Sequence, residues 1–234
     1  MRYRHLFLDW DNTLWDVNTN SHTVMTGLYD VYGLSAYYPS PDAFYQAYKV
    51  HNDRLWERYG RGEINKAYLN EERFRAPLRD VAEGLETLAA ELQRAYMPRL
   101  VQQTAMMPGA VEFLRKCRQA GYKMYIVSNG FREVQYAKIE HAGVAEYFER
   151  IFLSEQIGGH KPARFFFDRV VQSANARKKE SLVIGDSFEV DVVGARRAGI
   201  DQCLVGRSET DRPFEPTYCV RDLREMLPIL APYC

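Results

Sequence analysis

The segment Leu6–Asp16, LFLDWDNTLWD, decides how the rest of the chain can fold. Together with His5 it begins as a short apolar run of bulky side chains, which stops at Asp9. Such a run is typical of a buried strand in a parallel sheet whose carboxyl end opens onto a site. Asp11 follows at the alternate position, so an extended chain places both carboxylates on the same side. Two carboxylates that close repel each other, which predicts a nearby cation or a shared proton.

A divalent metal with oxygen ligands, together with a phosphorylated substrate, would satisfy this pair of carboxylates. The structural alternative is an acidic turn after the strand, in which Asp11 or Thr13 caps a helix. This segment taken alone favours neither interpretation.

The composition limits the class of protein. With 234 residues, 46% of them apolar, the chain can form one large domain or a core domain with a modest insertion. Lys+Arg and Asp+Glu both number 31, so no global field attracts a nucleic acid polymer or a membrane surface. No apolar run approaches ~20 residues, and the four cysteines show no CxxC spacing. We therefore expect a cytoplasmic protein without a leader segment or transmembrane helix.

The order of helix and strand patterns predicts two domains. Residues 17–104 contain amphipathic helical patterns and no strand-like alternation, which predicts an all-helical domain inserted after the first strand. Residues 105–234 alternate between strands and helices and end in a helix over 220–230. The predicted fold class is α/β, a doubly wound parallel sheet formed by residues 1–16 and 105–234.

Polar residues follow three of the predicted strands, and a lysine lies on a loop between a strand and a helix. In parallel sheets the site lies outside the carboxyl ends of the strands. Each residue has a structural alternative, such as a helix cap, a turn residue or a solvated lysine. Their occurrence together at one edge nevertheless predicts a functional site. The residues are Asp9, Asp11 and Thr13, then Ser128 and Asn129, then Lys161, and then Asp186 and Ser187.

The residue types indicate phosphoryl chemistry. Asp9 can be a nucleophile that forms an aspartyl-phosphate, and its charge then requires a metal and a fixed cation. Asp186 completes an oxygen-rich position for Mg²⁺ with Asp9 and the carbonyl of Asp11. Lys161 supplies the fixed positive charge. Asp11 is then available to protonate the leaving oxygen and later to activate water.

Further residues can hold the phosphoryl group or support the site. Thr13, Ser128 and the backbone N–H groups at Asn129 and Gly130 can bind phosphoryl oxygens. Asp191 lies five residues after Asp186 and can hold Lys161 or a metal-bound water, or it can simply complement a helix dipole. Ser187 is a supporting residue or a helix cap. The sequence has no GxxxxGK[ST] motif, which excludes a P-loop enzyme.

The motifs DxDxT (Asp9 to Thr13), SNG (from Ser128), KP (at Lys161) and GDSxxxD (Asp186 to Asp191) together resemble the haloacid dehalogenase-like hydrolase superfamily. The resemblance covers the whole chain, and the helical insertion resembles the C1-type cap of that superfamily. It implies a nucleophile at Asp9, an acid/base at Asp11 and Mg²⁺ bound through Asp9, Asp11 and Asp186. An aspartate at position 11 resembles the phosphatase branch, since dehalogenases lack it and phosphonatases use a cap lysine. Asn12 stands where many members have glycine, and asparagine tolerates the same turn conformations.

The cap segment 50–74, together with SNGF and IGGHKP, resembles pyrimidine 5′-nucleotidases that act on nucleoside monophosphates. The cap is rich in aromatic residues, a few of which could stack on a nucleobase, while the larger share must form its core. We expect a small phosphorylated partner, with a nucleoside monophosphate favoured. The alternatives are a sugar-phosphate phosphatase, a phosphomutase with the same core residues, or a non-catalytic phosphoester-binding protein. The aromatic residues are Tyr29, Tyr32, Tyr37, Tyr38, Phe44, Tyr45, Tyr48, Trp56, Tyr59 and Tyr68.

Overall fold

A computed structural model describes residues 2–206 and 212–230, so that Cys234 lies outside the described residues. The chain forms two compact units, one made of Met1–Val17 with Thr104–Cys234 and the other of Asn18–Gln103. We call the first the α/β unit and the second the helical unit. In the described part of the chain, no helix combines the length and the apolar character that crossing a membrane requires.

The described elements follow one another in the order that the sequence patterns predict, with the exceptions given below. The strands are β1 (His5–Leu8), β2 (Lys123–Ser128), β3 (Phe148–Leu153), β4 (Ser181–Gly185), β5 (Asp201–Val205) and β6 (Tyr218–Val220). The helices are α1 (Val17–Val31), α2 (Pro41–Gly60), α3 (Lys66–Arg79), α4 (Glu86–Leu100), α5 (Ala110–Gln119), α6 (Arg132–His141), α7 (Ser154–Ile157), α8 (Arg164–Ser173), α9 (Val193–Arg197) and α10 (Leu227–Leu230).

The six strands form one sheet in the order β3-β2-β1-β4-β5-β6, with every neighbouring pair parallel. The predicted doubly wound parallel sheet is therefore confirmed. β1 is central and is completely buried, because both of its faces are covered. Phe7 packs in an apolar cluster with residues of α8 and α9, while its neighbours Leu6 and Leu8 point to the opposite face. The chain passes from β3 back across β1 to β4, which places the switch in strand order beside β1.

Two expectations for the C-terminal half need correction. The helix predicted over 220–230 begins too early, because Tyr218–Val220 forms the edge strand β6, in which Val220 pairs with Val205. A 3-10 turn with Asp222 as its cap then leads into α10. The alternation of strands and helices also predicts a helix over 189–198, and this segment begins instead with a π-helical turn at Phe188–Val192, followed by α9. Backbone pairing with β5 determines the structure of the first segment, and side-chain packing around Asp191 determines that of the second. Neither interaction produces a periodic pattern of apolar residues in the sequence.

A tight turn follows β1 and carries both aspartates. The Trp10 carbonyl accepts hydrogen bonds from the N–H groups of Leu14 and Trp15 at 3.0 and 2.9 Å. Asn12 has φ 60°, the left-handed conformation that asparagine tolerates and glycine more often supplies. Trp10 and Trp15 are completely buried beneath the turn. The two tryptophans therefore anchor the turn by packing.

The helical unit contains four α-helices around an aromatic interior. The polar stretch after Asp16 forms the first turns of α1. It can do so because polar residues there are satisfied inside the unit, as shown by the 2.8 Å hydrogen bond between the hydroxyls of Ser21 and Tyr96. The predicted role of aromatic residues as cap core is confirmed for five side chains. They are Tyr29, Tyr38, Phe44, Tyr45 and Tyr48.

The helical unit also buries an unpaired cation. Arg73 is 1% exposed, and its guanidinium lies 6.0 Å from the ring centroid of Tyr96. One nitrogen donates to the Met97 sulfur at 3.6 Å, while Nε and Nη2 have no hydrogen-bond partner among the described residues. Burying a charge without a carboxylate partner costs free energy, since water is lost and not replaced.

We expect Arg73→Met to raise the free energy of unfolding by roughly 1–3 kcal/mol, because methionine fills similar space without buried donors. The measurement is urea unfolding followed by circular dichroism. Arg75→Met on the same helix is the matched control. Its i,i+4 ion pair with Glu71 is more exposed, so its effect should stay within about 0.5 kcal/mol. Destabilisation by Arg73→Met would show that the tyrosine and sulfur contacts compensate the buried charge.

Candidate active site

The sheet register brings the predicted residues to one edge. Leu8 pairs with Ile126 on one side and with Ile184 on the other, so Asp9 lies level with the carboxyl ends of both neighbouring strands. The N–H of Asp9 donates to the Ile184 carbonyl at 2.9 Å, which extends the β1–β4 pairing by one residue. Ser128 and Asp186 follow at the same carboxyl edge. The site therefore lies beside β1 at the switch in strand order.

Lys161 is the centre of the site. Its side chain is 2% exposed, and Nζ donates to Asp9 Oδ1 at 2.7 Å, to Asp191 Oδ1 at 2.7 Å and to the Val127 carbonyl at 2.9 Å. These three acceptors use all three protons of the ammonium group. The predicted fixed cation is therefore held rigidly against the predicted nucleophile.

The side chain of Asn129 fixes the backbone of Lys161. Its amide nitrogen donates to the Lys161 carbonyl and its amide oxygen accepts from the Lys161 N–H, each at 2.9 Å. Asn129 therefore positions the loop that carries the lysine. The sequence predicted only a phosphate-binding backbone for this residue.

Asp191 holds Lys161, which is one of the three roles that the sequence left open for it. Its second oxygen accepts from the Ser187 N–H at 3.2 Å. The side chain fits against Gly185, where an added Cβ would lie 2.3 Å from the Asp191 carboxyl carbon. Ser187 itself caps the following π-helical turn by accepting from the Val190 N–H at 3.2 Å. Gly185 is therefore required by the close approach of Asp191.

Thr13 joins the two carboxylates on either side of it. Its hydroxyl lies 3.1 Å from Asp9 Oδ2 and 3.3 Å from Asp186 Oδ1, so that the two carboxylates share its single proton. Thr13 is completely buried. It therefore orients Asp9 from the side opposite Lys161, and its predicted contact with a phosphoryl oxygen stays a prediction.

Ser128 is arranged as a donor. Its hydroxyl oxygen accepts from the Gly130 N–H at 3.0 Å and from the Gln135 amide at 2.7 Å. Two donors occupy the lone pairs of the oxygen, so its own proton is directed towards a further acceptor. This supports the predicted role of Ser128 in binding a phosphoryl oxygen. The N–H of Gly130, also predicted to bind phosphate, is used to orient Ser128.

The electrostatics of the site favour a bound cation. Asp9, Asp186 and Asp191 each place a carboxylate oxygen within 4.8 Å of the others, and Lys161 is the ammonium group among them. Burial and the charges of Asp191 and Asp186 raise the pKa of Asp9 well above its usual range, although Lys161 opposes the shift. Burial and Asp191 raise the pKa of Asp186 to about 7. Burial alone would lower the pKa of Lys161, but Asp191 and Asp9 outweigh it and raise that pKa.

The donor set suits Mg²⁺, which prefers carboxylate oxygens. Asp9 and Asp186, predicted as ligands, both belong to the acidic group, in which Asp191 is committed to Lys161. The predicted ligand at Asp11 is its backbone carbonyl, which stays a prediction. The excess of negative charge is the feature that a divalent ion would relieve.

Two residues of α6 belong to the site and were not predicted. Lys138 Nζ lies 2.8 Å from Asp11 Oδ1, and the Gln135 amide nitrogen lies 2.6 Å from Asp11 Oδ2. Their spacing of three residues on the helix after SNG could have indicated a shared face. Only the folded structure shows that this face meets Asp11.

The chain is similar to known proteins in both sequence and fold. Residues 3–199 match the family described as haloacid dehalogenase-like hydrolase. The chain is 29% identical to the pyrimidine 5′-nucleotidase YjjG of Escherichia coli, over 99% of each chain. It is also 29% identical to the pyrimidine 5′-nucleotidase PynA of Streptococcus pneumoniae, over 98% of this chain and 96% of the relative. The magnesium-bound structure of the HAD-hydrolase YfnB from Bacillus subtilis aligns with a TM-score of 0.84 and 29% identity, over 98% and 99% of the two chains.

We expect MgCl₂ to raise the thermal unfolding midpoint, since an ion that binds only the folded state stabilises it by about 2.7 kcal/mol at a hundredfold excess over Kd. The measurement is differential scanning fluorimetry with NaCl at matched ionic strength. Asp186→Asn should remove most of the shift, whereas Asp168→Asn, on a surface ion pair with Lys178, should keep it. An equal shift in both variants would place the ion elsewhere.

Proposed function

Because the chain belongs to the haloacid dehalogenase-like hydrolase family, we propose that it is a Mg²⁺-dependent phosphomonoester hydrolase acting through an aspartyl-phosphate. The observation that carries this proposal is the Asp9 carboxylate, which is held by Lys161 on one oxygen and by Thr13 on the other. A carboxylate fixed in this way is oriented for attack, and it lies beside a cation that offsets an incoming phosphate.

In the first step, a carboxylate oxygen of Asp9 attacks phosphorus while the bond from phosphorus to the leaving oxygen breaks. Asp11 gives its proton to that leaving oxygen. Ser128 donates to a phosphoryl oxygen through the proton that its two donors leave free. Lys161 stays bound to Asp9 and Asp191 and balances the charge of the transferring group.

In the second step, water attacks the aspartyl-phosphate, Asp11 takes a proton from that water, and the bond between Asp9 and phosphorus breaks. The products are inorganic phosphate, the free carboxylate of Asp9 and a protonated Asp11, which is the state from which the first step began. When bound by Asp9, Asp186 and the carbonyl of Asp11, Mg²⁺ would neutralise charge on the phosphoryl oxygens. The chain itself supplies the nucleophile, the acid/base and the fixed cation.

For the substrate we propose a nucleoside 5′-monophosphate with a pyrimidine base. The support is the extent of the similarity, since the two relatives named as pyrimidine 5′-nucleotidases match along the helical unit as well as the α/β unit. In a capped hydrolase the core holds the phosphate, so the inserted unit must select the rest of the substrate. Trp56 and Tyr59 are partly exposed there, and aromatic rings of this kind can stack on a base.

Asp9→Asn should lower turnover by a factor of at least about 10³, because an amide is not a nucleophile. The fold should persist, since Lys161 keeps Asp191 and the Val127 carbonyl as partners. Phosphate release measures activity, and mass spectrometry of acid-quenched enzyme should find a phosphoryl adduct in wild type only. Substantial turnover by the variant would exclude the covalent mechanism.

A panel of nucleoside 5′-monophosphates, sugar phosphates and other small phosphoesters tests the substrate, with kcat/KM from phosphate release as the measurement. We expect pyrimidine monophosphates to give the highest values. A preference for sugar phosphates would keep the hydrolase and reject the nucleotidase. Turnover of a sugar phosphate that depends on a sugar bisphosphate activator would indicate the phosphomutase instead.

A further inference from the structure

The side chain of Asp11 is held at both of its oxygens by one face of α6. Lys138 Nζ binds Oδ1 at 2.8 Å, and the Gln135 amide nitrogen binds Oδ2 at 2.6 Å. Residues three apart on a helix lie on the same face, so Gln135 and Lys138 approach the carboxylate together. Two-point binding of a planar carboxylate removes its rotational freedom.

Lys138 is committed to this contact. Its side chain is 5% exposed, and its ammonium lies 4.3 Å from the ring centroid of Trp15. Among the described residues, Asp11 is the one carboxylate within ion-pair distance of it. A lysine is costly to bury unless a partner compensates its charge, so the aromatic face and Asp11 together account for its position.

Gln135 is committed in the same way and is completely buried. Its single amide nitrogen donates to Asp11 and to Ser128, while Oε1 has no hydrogen-bond partner among the described residues. The flipped amide would direct Oε1 at the Asp11 carboxylate, so the charge of Asp11 dictates the orientation. An unpaired buried oxygen costs free energy, which the chain tolerates to keep the nitrogen on Asp11.

Gly130 makes room for this arrangement. A Cβ on that residue would lie 2.2 Å from the amide nitrogen of Gln135, which is closer than any side chain allows. The glycine of the SNG motif is therefore required for Gln135 to reach both Ser128 and Asp11. The glycine at position 130 therefore allows the hydrogen bond between Gln135 on α6 and the carboxylate of Asp11.

We infer that Lys138 and Gln135 are positioning residues for the acid/base Asp11, and that Gln135 couples its orientation to the phosphate-binding hydroxyl of Ser128. This inference rests on the proposed function. The pair holds the Asp11 carboxyl group where the leaving oxygen accepts its proton. Displacement of such a group by about 1 Å can cost a factor of 10² in rate. When either positioning residue is replaced, the loss of kcat/KM should be larger for an ester whose leaving group must be protonated as it departs.

The test compares two esters, a nucleoside 5′-monophosphate with an alkoxide leaving group and p-nitrophenyl phosphate, whose nitrophenolate leaves without a proton. Lys138→Met should lower kcat/KM for the nucleotide by about 10- to 100-fold and for the nitrophenyl ester by less than about threefold. Gln135→Met should show the same difference between the two esters. It provides the test if Lys138→Met does not fold. The matched control is Lys116→Met, on a surface ion pair with Glu112, which should leave both esters unchanged.

A double-mutant cycle separates positioning from a structural role. In an Asp11→Asn background, assayed with enough enzyme to measure residual nucleotide turnover, Lys138→Met should change kcat/KM by less than about twofold, because its effect passes through Asp11. Equal losses on both esters, or a full loss in the Asp11→Asn background, would overturn the inference while leaving the hydrolase intact. If the wild-type enzyme releases phosphate from neither ester, the proposed function fails, and the inference fails with it.

Discussion

The site depends on one buried ammonium group. Lys161 satisfies its three protons with Asp9, Asp191 and a carbonyl of β2, so it joins elements that lie far apart in the chain. Without it, adjacent carboxylates would face each other in a buried environment, where repulsion is poorly screened. Three carboxylates, those of Asp9, Asp186 and Asp191, surround this single ammonium group, so the site carries excess negative charge even with the lysine. That excess provides the attraction for a divalent ion.

The parallel sheet explains how the lysine can have this role. Because β1 lies between β2 and β4, the carboxyl ends of these three strands lie side by side at one edge of the sheet. The side-chain amide of Asn129 then anchors the loop of Lys161 by two hydrogen bonds to the backbone of the lysine. Gly185 leaves space for Asp191 on the other side. The positions of the charged groups are thus set by backbone geometry, which keeps them fixed when a phosphate enters.

The two aspartates after β1 differ in their surroundings although they are two residues apart. Asp9 is held by Lys161 and Thr13, whereas Asp11 is held by Gln135 and Lys138 on α6. Each carboxylate has its own lysine, so the proposed nucleophile and the proposed acid/base are oriented independently. Asn12 makes this possible, since its left-handed backbone turns the chain between β1 and the buried Trp15.

Apolar runs and polar residues at the ends of strands are local signals, so they were enough to predict the parallel sheet, the helical insertion and the candidates Asp9, Asp11, Lys161 and Asp186. Tertiary structure produces the edge strand β6, which is stabilised by pairing with β5. It also decided the contact of Gln135 and Lys138 with Asp11. Such a contact joins residues more than a hundred positions apart, and only the folded chain brings the side chains of α6 within hydrogen-bond distance of the turn after β1.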